Sequence, residues 1–338
     1  MSRFRNIIAK FGRKHIMVIG DVILDRYIQG KVTRISPEAP VPIVQEENFF
    51  YTPGGAANVA HNLSALGAKV TQVGRIGNDF EGQILIRTLK KKGINTAGLC
   101  IDKTVPTITK TRVIAQHQQV VRIDREKIKA LAEEAVKKKI FHFIEQHLHE
   151  VDAVIISDYG KGLITPELLN FVKSLALEKK KVIVVDPKVE HFSYYQKVTA
   201  ITPNLRETEN AIRNIKITDG RGQRLKIRKD KLETDEDINL AGKELLAYLG
   251  LDSLLITMGE RGMRLFEKDK RPVSIKTKAR EVFDVSGAGD TVVSVFALVL
   301  SCGATKRKAA ELANIAAGIV VGKLGAVAVT KQELLEAS

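Results

Sequence analysis

Apolar residues along this chain alternate between two spacings. Short unbroken runs, rich in β-branched residues, occur at His15–Gly20, Ala153–Asp158 and Val182–Asp186. Such runs read as strands buried on both faces. Ala200–Asn204 and Leu254–Thr257 add two more, and Lys69–Gly74 alternates in the manner of a strand. Between them, Asp79–Lys92, Lys127–His149 and Pro166–Lys179 place apolar residues at helical spacing, the first stopped by Gly93. Strand, helix and strand in that order imply parallel pairing. The pattern predicts an α/β fold with a doubly wound, mostly parallel sheet flanked by helices. No internal repeat is visible.

Three stretches depart from this rhythm. Arg34–Pro42 holds Pro37, Pro40 and Pro42, which excludes helix and interior strand and leaves an ordered extended loop or a sheet edge. Thr107–Arg125 alternates as a β-ribbon with Lys110 and Arg112 on one face; the ordinary reading of such a face is a solvated edge. Arg213–Asp237 carries Arg213, Lys216, Arg221, Arg224, Lys226, Arg228, Lys229 and Lys231 against Asp219 and Asp230. With few apolar anchors, it reads as a mobile basic surface insertion.

Candidate chemistry concentrates at glycine-rich turns. Asp284-Val285-Ser286-Gly287-Ala288-Gly289-Asp290-Thr291 precedes the apolar run Val292–Leu300, closed by Gly303. This is a turn feeding the start of a buried helix, where unpaired N–H groups and a partial positive charge suit phosphate. Asp290 then stands among donors meant for an anion, as a proton acceptor rather than a phosphate ligand. That combination points to phosphoryl transfer onto a hydroxyl. A plain helix cap is the alternative. Thr52-Pro53-Gly54-Gly55-Ala56-Ala57-Asn58-Val59-Ala60 similarly opens a helix running to about Leu66, either for a ligand or for a tight turn with close packing. Asp21 and Asp25 follow the first strand, at the end where α/β sheets gather ligands; they bind hydroxyls or cap a turn.

Composition narrows the classes. The 338 residues, 44% of them hydrophobic, suit one large domain with an appendage, though two domains are possible. Lys and Arg number 54 against 39 Asp and Glu, a net charge of +15. This favours anionic ligands, whether phosphorylated small molecules, nucleic acid or an acidic membrane surface. The basic stretch lacks interleaved aromatic residues, which argues against nucleic acid. Cys100 and Cys302 have no metal-type spacing, and a reduced, cytoplasmic setting is expected. Met1–Lys14 is basic without a long apolar core, and no apolar run is long enough to span a bilayer. Neither a P-loop, nor a G-x-G-x-x-G after the first strand, nor a zinc-type cluster is found. His117, His142, His147 and His149 are expected on solvated surfaces.

Taken in order, four motifs resemble the ribokinase-like (PfkB) carbohydrate kinases: Gly54–Asn58, Thr202-Pro203-Asn204-Leu205-Arg206-Glu207, Thr257-Met258-Gly259-Glu260-Arg261-Gly262 and Asp284–Thr291. The third corresponds to the nucleotide loop, the second to an N-x-x-E element near the nucleotide phosphates and magnesium. Gly20-Asp21 to Pro42, Ser157-Asp158-Tyr159-Gly160-Lys161-Gly162, Asp186-Pro187-Lys188 and Gly318–Gly325 are similar, more closely, to heptose 7-phosphate kinases of lipopolysaccharide precursor synthesis. Ser286 stands where the signature commonly has Thr, and the basic insertion is not part of the pattern. Some members carry a following nucleotidyltransferase domain. This chain ends at Ser338, so one kinase domain over residues 1–338 is expected here.

The resemblance implies ATP, Mg2+ and a sugar phosphate as ligands. Asp290 is the implied base, with Gly287, Ala288 and Gly289 as anion hole. Asn204, Leu205, Arg206, Glu207, Thr257, Gly259, Gly262 and Asn314 fall on the nucleotide side, with Glu207 and Asn204 near the magnesium, largely through water. Asp21, Gly54, Gly55 and Asn58 hold sugar hydroxyls; Arg34, Lys110, Arg112 and Lys161 are candidate anchors for the substrate phosphate. A monovalent cation such as K+ is implied near Asp284, Ser286 and Lys323. Residues 27–51 and 107–124 would form a β lid that pairs between subunits of a homodimer. Rival readings are another sugar or nucleoside kinase of this fold, a non-catalytic regulator and a nucleic-acid-binding protein.

Overall fold

The computed structural model describes residues 4–116, 118–218, 225–227, 229–278, 282–323, 325 and 327–338. A helical turn α1 (Arg5–Ile8) leads into β1 (His15–Gly20), then β2 (Val22–Ile35) and β3 (Pro42–Gly55). Next come α2 (Ala56–Ala65), β4 (Lys69–Ile76), α3 (Phe80–Lys91), β5 (Asn95–Ile101), β6 (Ile108–Ala115) and β7 (Gln118–Arg125). The central portion runs α4 (Glu134–His147), β8 (Ala153–Ser157), α5 (Pro166–Glu178), β9 (Val182–Asp186), β10 (Ala200–Ile201) and α6 (Leu205–Thr218). The last portion is α7 (Asp235–Leu249), β11 (Ser253–Thr257), β12 (Met263–Glu267), β13 (Val273–Ile275), α8 (Ala288–Ser301), α9 (Lys306–Val320) and α10 (Lys331–Ala337).

Nine strands form one sheet in the order β13-β12-β11-β10-β9-β8-β1-β4-β5, parallel except for β12 and β13 at one edge. Alternation along β1 explains why both faces are covered. Ile16 and Val18 belong to a core with α2, α3, α8 and α9, whereas Met17 and Ile19 belong to a second core with α4, α5, α6 and α7. This is the doubly wound sheet expected from the pattern.

A second sheet, β3-β2-β6-β7, stands beside the first. Its hairpin β2–β3 turns at Ser36–Val41, where the Ser36 N–H donates to the Val41 carbonyl (2.9 Å), so the proline-rich stretch is the tip of a long arm. Ile35, Val41, Phe49, Phe50 and Ile123 are exposed on this sheet.

Several boundaries differ from the sequence expectation. Helical spacing over Lys127–His149 yields a helix only from Glu134, because Leu131 is buried in an extended segment and its N–H bonds the Gly162 carbonyl (2.8 Å). Thr52–Gly55 completes β3 before α2 begins. The basic insertion is better anchored than its composition suggests. Residues to Thr218 continue α6, and Ile227 and Leu232 are each 2% exposed in the core under α7. Their N–H groups bond Glu244 (2.9 Å) and Glu209 (2.8 Å). Arg221, Arg224, Arg228 and Asp219 lie outside the described residues, as does His117. His142 and His149 are exposed, but His147 is half-buried with Nδ1 against the Phe143 carbonyl (2.9 Å). No helix among the described residues is long and apolar enough to cross a membrane.

Candidate active site

The carboxyl ends of β8, β9, β10 and β11 open onto the start of α8. The cleft between them, about 240 Å³, is lined by Asp158, Tyr159, Asp186, Pro187, Lys188, Thr202, Asn204, Glu207, Thr257, Gly287, Gly289 and Asp290. This is the position at which open α/β sheets take ligands.

Gly287 adopts φ 77, the left-handed turn that starts α8. The Ala288 N–H is not free, since it donates to the Val285 carbonyl (3.2 Å), and Thr291 N–H closes on Gly287 (3.0 Å). Of the three residues expected to form the anion hole, Gly287 and Gly289 line the cleft, whereas the Ala288 N–H turns back to Val285. A Cβ added at Gly289 would meet nothing within 4 Å, so the cleft reaches the backbone there.

Asp290, 6% exposed, sits in the first turn. Asn58 Nδ2 donates to its Oδ2 and the Tyr159 hydroxyl to its Oδ1, both at 2.7 Å. Burial pushes its carboxyl up to about 6, with the Asp25 charge adding and the two donors opposing. The helices bearing these groups are pinned together: Thr291 Oγ1 donates to Asn62 Oδ1 (2.9 Å), and Ser294 Oγ to the Val59 carbonyl (3.1 Å).

The residues expected to hold the sugar fall in different surroundings. The Asp21 carboxylate accepts the N–H groups of Tyr159 (3.1 Å), Lys161 (3.0 Å) and Leu163 (3.1 Å), so it holds a loop and does not line the cleft. Gly54 lies against Asp25, whose Oδ2 would be 2.3 Å from an added Cβ, and Gly55 packs on the Asp21 carbonyl at φ 55. Both glycines are explained by close packing. Asn58 lies at the base, and its Oδ1 is buried without a partner among the described residues. Arg112 bonds Asp25 and stands over the Tyr27 ring. Lys110 pairs with Asp124 (3.1 Å), and Lys161 turns its ammonium to Glu126 (2.7 Å). Arg34 is exposed near the arm's tip, nine residues along β2 from Asp25, roughly 30 Å at a strand's rise. The structure does not bring it to this cleft.

The nucleotide-side residues also divide. Asn204 and Glu207 cap α6 reciprocally, each backbone N–H bonding the other's side chain at 2.8 Å. Glu207 keeps one oxygen for the cleft, and burial raises its pKa despite Lys188 nearby. Leu205 packs on the core and Arg206 is exposed; neither lines the cleft. Thr257 does, while Gly259 (φ 58) and Gly262 (φ 81) shape the turn after β11. An added Cβ at Gly262 would fall 2.1 Å from the Ile275 carbonyl. Asn314 on α9 donates to the Lys276 carbonyl (2.7 Å), fixing the strand end beside that turn. Asp284 accepts the N–H groups of Ser286 (2.8 Å) and Gly325 (3.1 Å), which sets the turn before α8. The Lys323 ammonium points away to Glu333 (2.6 Å).

Tyr159, Asp186 and Lys188 were not among the expected site residues. Asp186 is half-buried in the cleft, where desolvation, with the charges of Asp290, Glu207 and Asp158 adding, raises its pKa well above the ordinary value. The signal for it was present, since it ends a strand, as Asp158 follows one.

The family description "pfkB family carbohydrate kinase" matches residues 13–333. The bifunctional protein HldE of Desulfatibacillum aliphaticivorans is 41% identical over 327 residues, covering 97% of this chain and 63% of that protein. The protein of the same name from Helicobacter pylori is 41% identical over 321 residues, with 95% and 65% covered. The chain thus spans just under two thirds of the length of these relatives. Among solved structures, phosphofructokinase-2 from Escherichia coli in complex with substrates and products matches with a TM-score of 0.74 at 17% identity, covering 96% of this chain and 98% of that one. Ribokinase from Arabidopsis thaliana, complexed with ribose and ATP, matches at 0.71 and 17%, over 96% and 98%. At these identities the likeness is one of fold.

Proposed function

The chain belongs to the pfkB family of carbohydrate kinases, and from that premise we propose that it transfers the γ-phosphoryl group of ATP to O1 of D-glycero-D-manno-heptose 7-phosphate. The product is the 1,7-bisphosphate, a precursor of ADP-heptose and the lipopolysaccharide core, made in the cytoplasm. The observation that carries this reading is Asp290, a buried carboxyl held at both oxygens in the first turn of α8, with the backbone of Gly287 and Gly289 lining the same cleft. The heptose assignment is supported by the Ser157–Gly162 and Asp186–Lys188 motifs and by relatives named bifunctional protein HldE.

Asp290 takes the proton from the O1 hydroxyl as O1 bonds the γ-phosphorus and ADP leaves. The N–H groups of Gly287 and Gly289 stabilise the charge growing on the transferred group. Asn58 Oδ1, buried and unpartnered, accepts from a sugar hydroxyl, and Asp25 with Arg112 borders the same space. Lys188 meets phosphate oxygens across the cleft, and Thr257, Gly259, Gly262 and Asn314 shape the nucleotide side. The leftover Glu207 oxygen, Asp186 and Asn204 suit a water-bound Mg2+, which would supply neutralising charge to the ATP phosphates. Asp284 and Ser286 would hold a K+, which would supply positive charge near the anion hole; the Lys323 side chain, paired with Glu333, would take no part. The exposed apolar residues of the lid suit pairing between two copies as a homodimer.

One observation favours a second reading. Lys110, Arg112 and Lys161 each already face a carboxylate, as they would in a kinase for an unphosphorylated sugar. Turnover with ATP and a panel of sugars and sugar phosphates tests both: the first reading requires the 7-phosphate, and equal turnover of the unphosphorylated heptose replaces it with the second.

A further inference from the structure

Tyr159 is held from two directions. Asp21 clasps the N–H groups of Tyr159, Lys161 and Leu163. Asp158 accepts the Gly160 N–H (2.8 Å), while its other oxygen meets His191 Nδ1 and the Tyr195 hydroxyl, each at 2.7 Å. Gly160 and Gly162, at φ 65 and 94, let this loop fold back over Asp21. The loop so built presents a tyrosine hydroxyl in the cleft, 2.7 Å from Asp290 Oδ1.

We propose that Tyr159 is a positioning residue for phosphoryl transfer, its hydroxyl fixing, together with Asn58, the carboxylate of Asp290 toward the acceptor hydroxyl. The proposal rests on the kinase reading of the cleft. The terminal torsion of an aspartate is broad and nearly two-fold, so a carboxylate gripped at one oxygen turns. Gripped at both, it keeps a lone pair aimed at one place, and misplacement of a reacting group is costly. Burial beside Asp290 and Asp186 raises the Tyr159 phenol well above its ordinary value, so the hydroxyl keeps its proton and donates.

The donation also favours ionised Asp290. The groups facing this carboxyl are Asn58 from α2, Tyr159 from the loop after β8, Asp25 from β2 and Asp186 from β9, with Lys188 and Glu207 on the opposite wall. Burial and the Asp25 charge oppose ionisation, so Tyr159 and Asn58 act against them.

Tyr159→Phe keeps the ring and removes the hydroxyl. Carboxyl 13C NMR of the full chain labelled at aspartate follows Asp290 directly, with Asp290→Asn identifying its signal. The midpoint should rise from about 6 by about one pH unit in Tyr159→Phe, since a bond to a charged group is lost. With ATP and heptose 7-phosphate, kcat should fall about tenfold or more while both KM values stay within about twofold. An unmoved Asp290 midpoint overturns the proposal, as does an unchanged kcat. A rise in ATP hydrolysis without sugar also overturns it, because the hydroxyl would then be a plug rather than a support. The NMR midpoint needs no turnover. Failure of wild type to phosphorylate any sugar phosphate would sink the kinase assignment separately.

Discussion

Asp290→Asn separates chemistry from structure at the point where the two conflict. The amide is isosteric and has two ways to satisfy its neighbours. Asn58 can turn its own amide and present Oδ1, which has no partner among the described residues, and the Tyr159 hydroxyl can donate to the new carbonyl. What the variant cannot do is accept the proton, and loss of a positioned general base typically costs ~10²–10⁴-fold in kcat. ATP affinity should change little, because Asp290 is not a donor to phosphate. The fold should gain. Burial raises the Asp290 carboxyl from 3.8 to about 6. A raised folded-state pKa means that this group's favourable contribution is complete below 3.8 and is lost as pH rises through about 6. At one pKa unit per 1.36 kcal/mol, the loss above that window is ~3 kcal/mol. Asn carries no such charge. At pH 8 Asp290→Asn should therefore unfold at higher urea than wild type, with the gap closing toward pH 4. Turnover, ATP calorimetry and urea unfolding at pH 4, 6 and 8 make the assay. Turnover within about tenfold of wild type would remove Asp290 as base, and a variant less stable at pH 8 would refute the burial argument.

Three further outcomes follow from particular contacts. Ile227→Ala and Leu232→Ala should each cost ~2–5 kcal/mol in urea unfolding, and deletion of residues 217–232 should destabilise the fold, since both anchors lie in the core; a silent deletion would show the insertion to be independent of it. Arg112→Ala should raise the KM for heptose 7-phosphate about tenfold with the ATP value unchanged, whereas Arg34→Ala should leave both unchanged. Gly289→Ala places a methyl in open space, so unfolding should be unaffected while kcat falls; an unchanged kcat would mean that no phosphoryl group approaches there.

Strands buried on both faces were legible because every residue of a run such as Ala153–Ser157 answers to the same burial, whatever its neighbours are. The Asp284–Thr291 turn was legible because glycines before an unbroken apolar run mark a left-handed turn into a buried helix. The loop-holding contacts of Asp21 were not legible, because its partners lie 138 to 142 residues away and meet its carboxylate with backbone N–H groups, which no local pattern announces. The contact of the Tyr159 hydroxyl with Asp290 depends on that same loop and was invisible for the same reason. The bond from the Ala288 N–H back to Val285 likewise leaves no mark in the sequence. Ile227 and Leu232, two isolated apolar residues among charges, leave no period to detect, yet each reaches the core.

The central claim is transfer of phosphate to O1 of a sugar that already bears phosphate at the far end. The most direct measurement incubates wild-type protein with ATP and D-glycero-D-manno-heptose 7-phosphate, beside the unphosphorylated heptose, and locates the new phosphate by proton–phosphorus NMR. The account predicts a phosphorus signal coupled to the anomeric proton, with the original 7-phosphate retained and the unphosphorylated heptose turned over far more slowly. A new phosphate elsewhere on the ring, no transfer to the 7-phosphate, or equal use of the unphosphorylated sugar would contradict it.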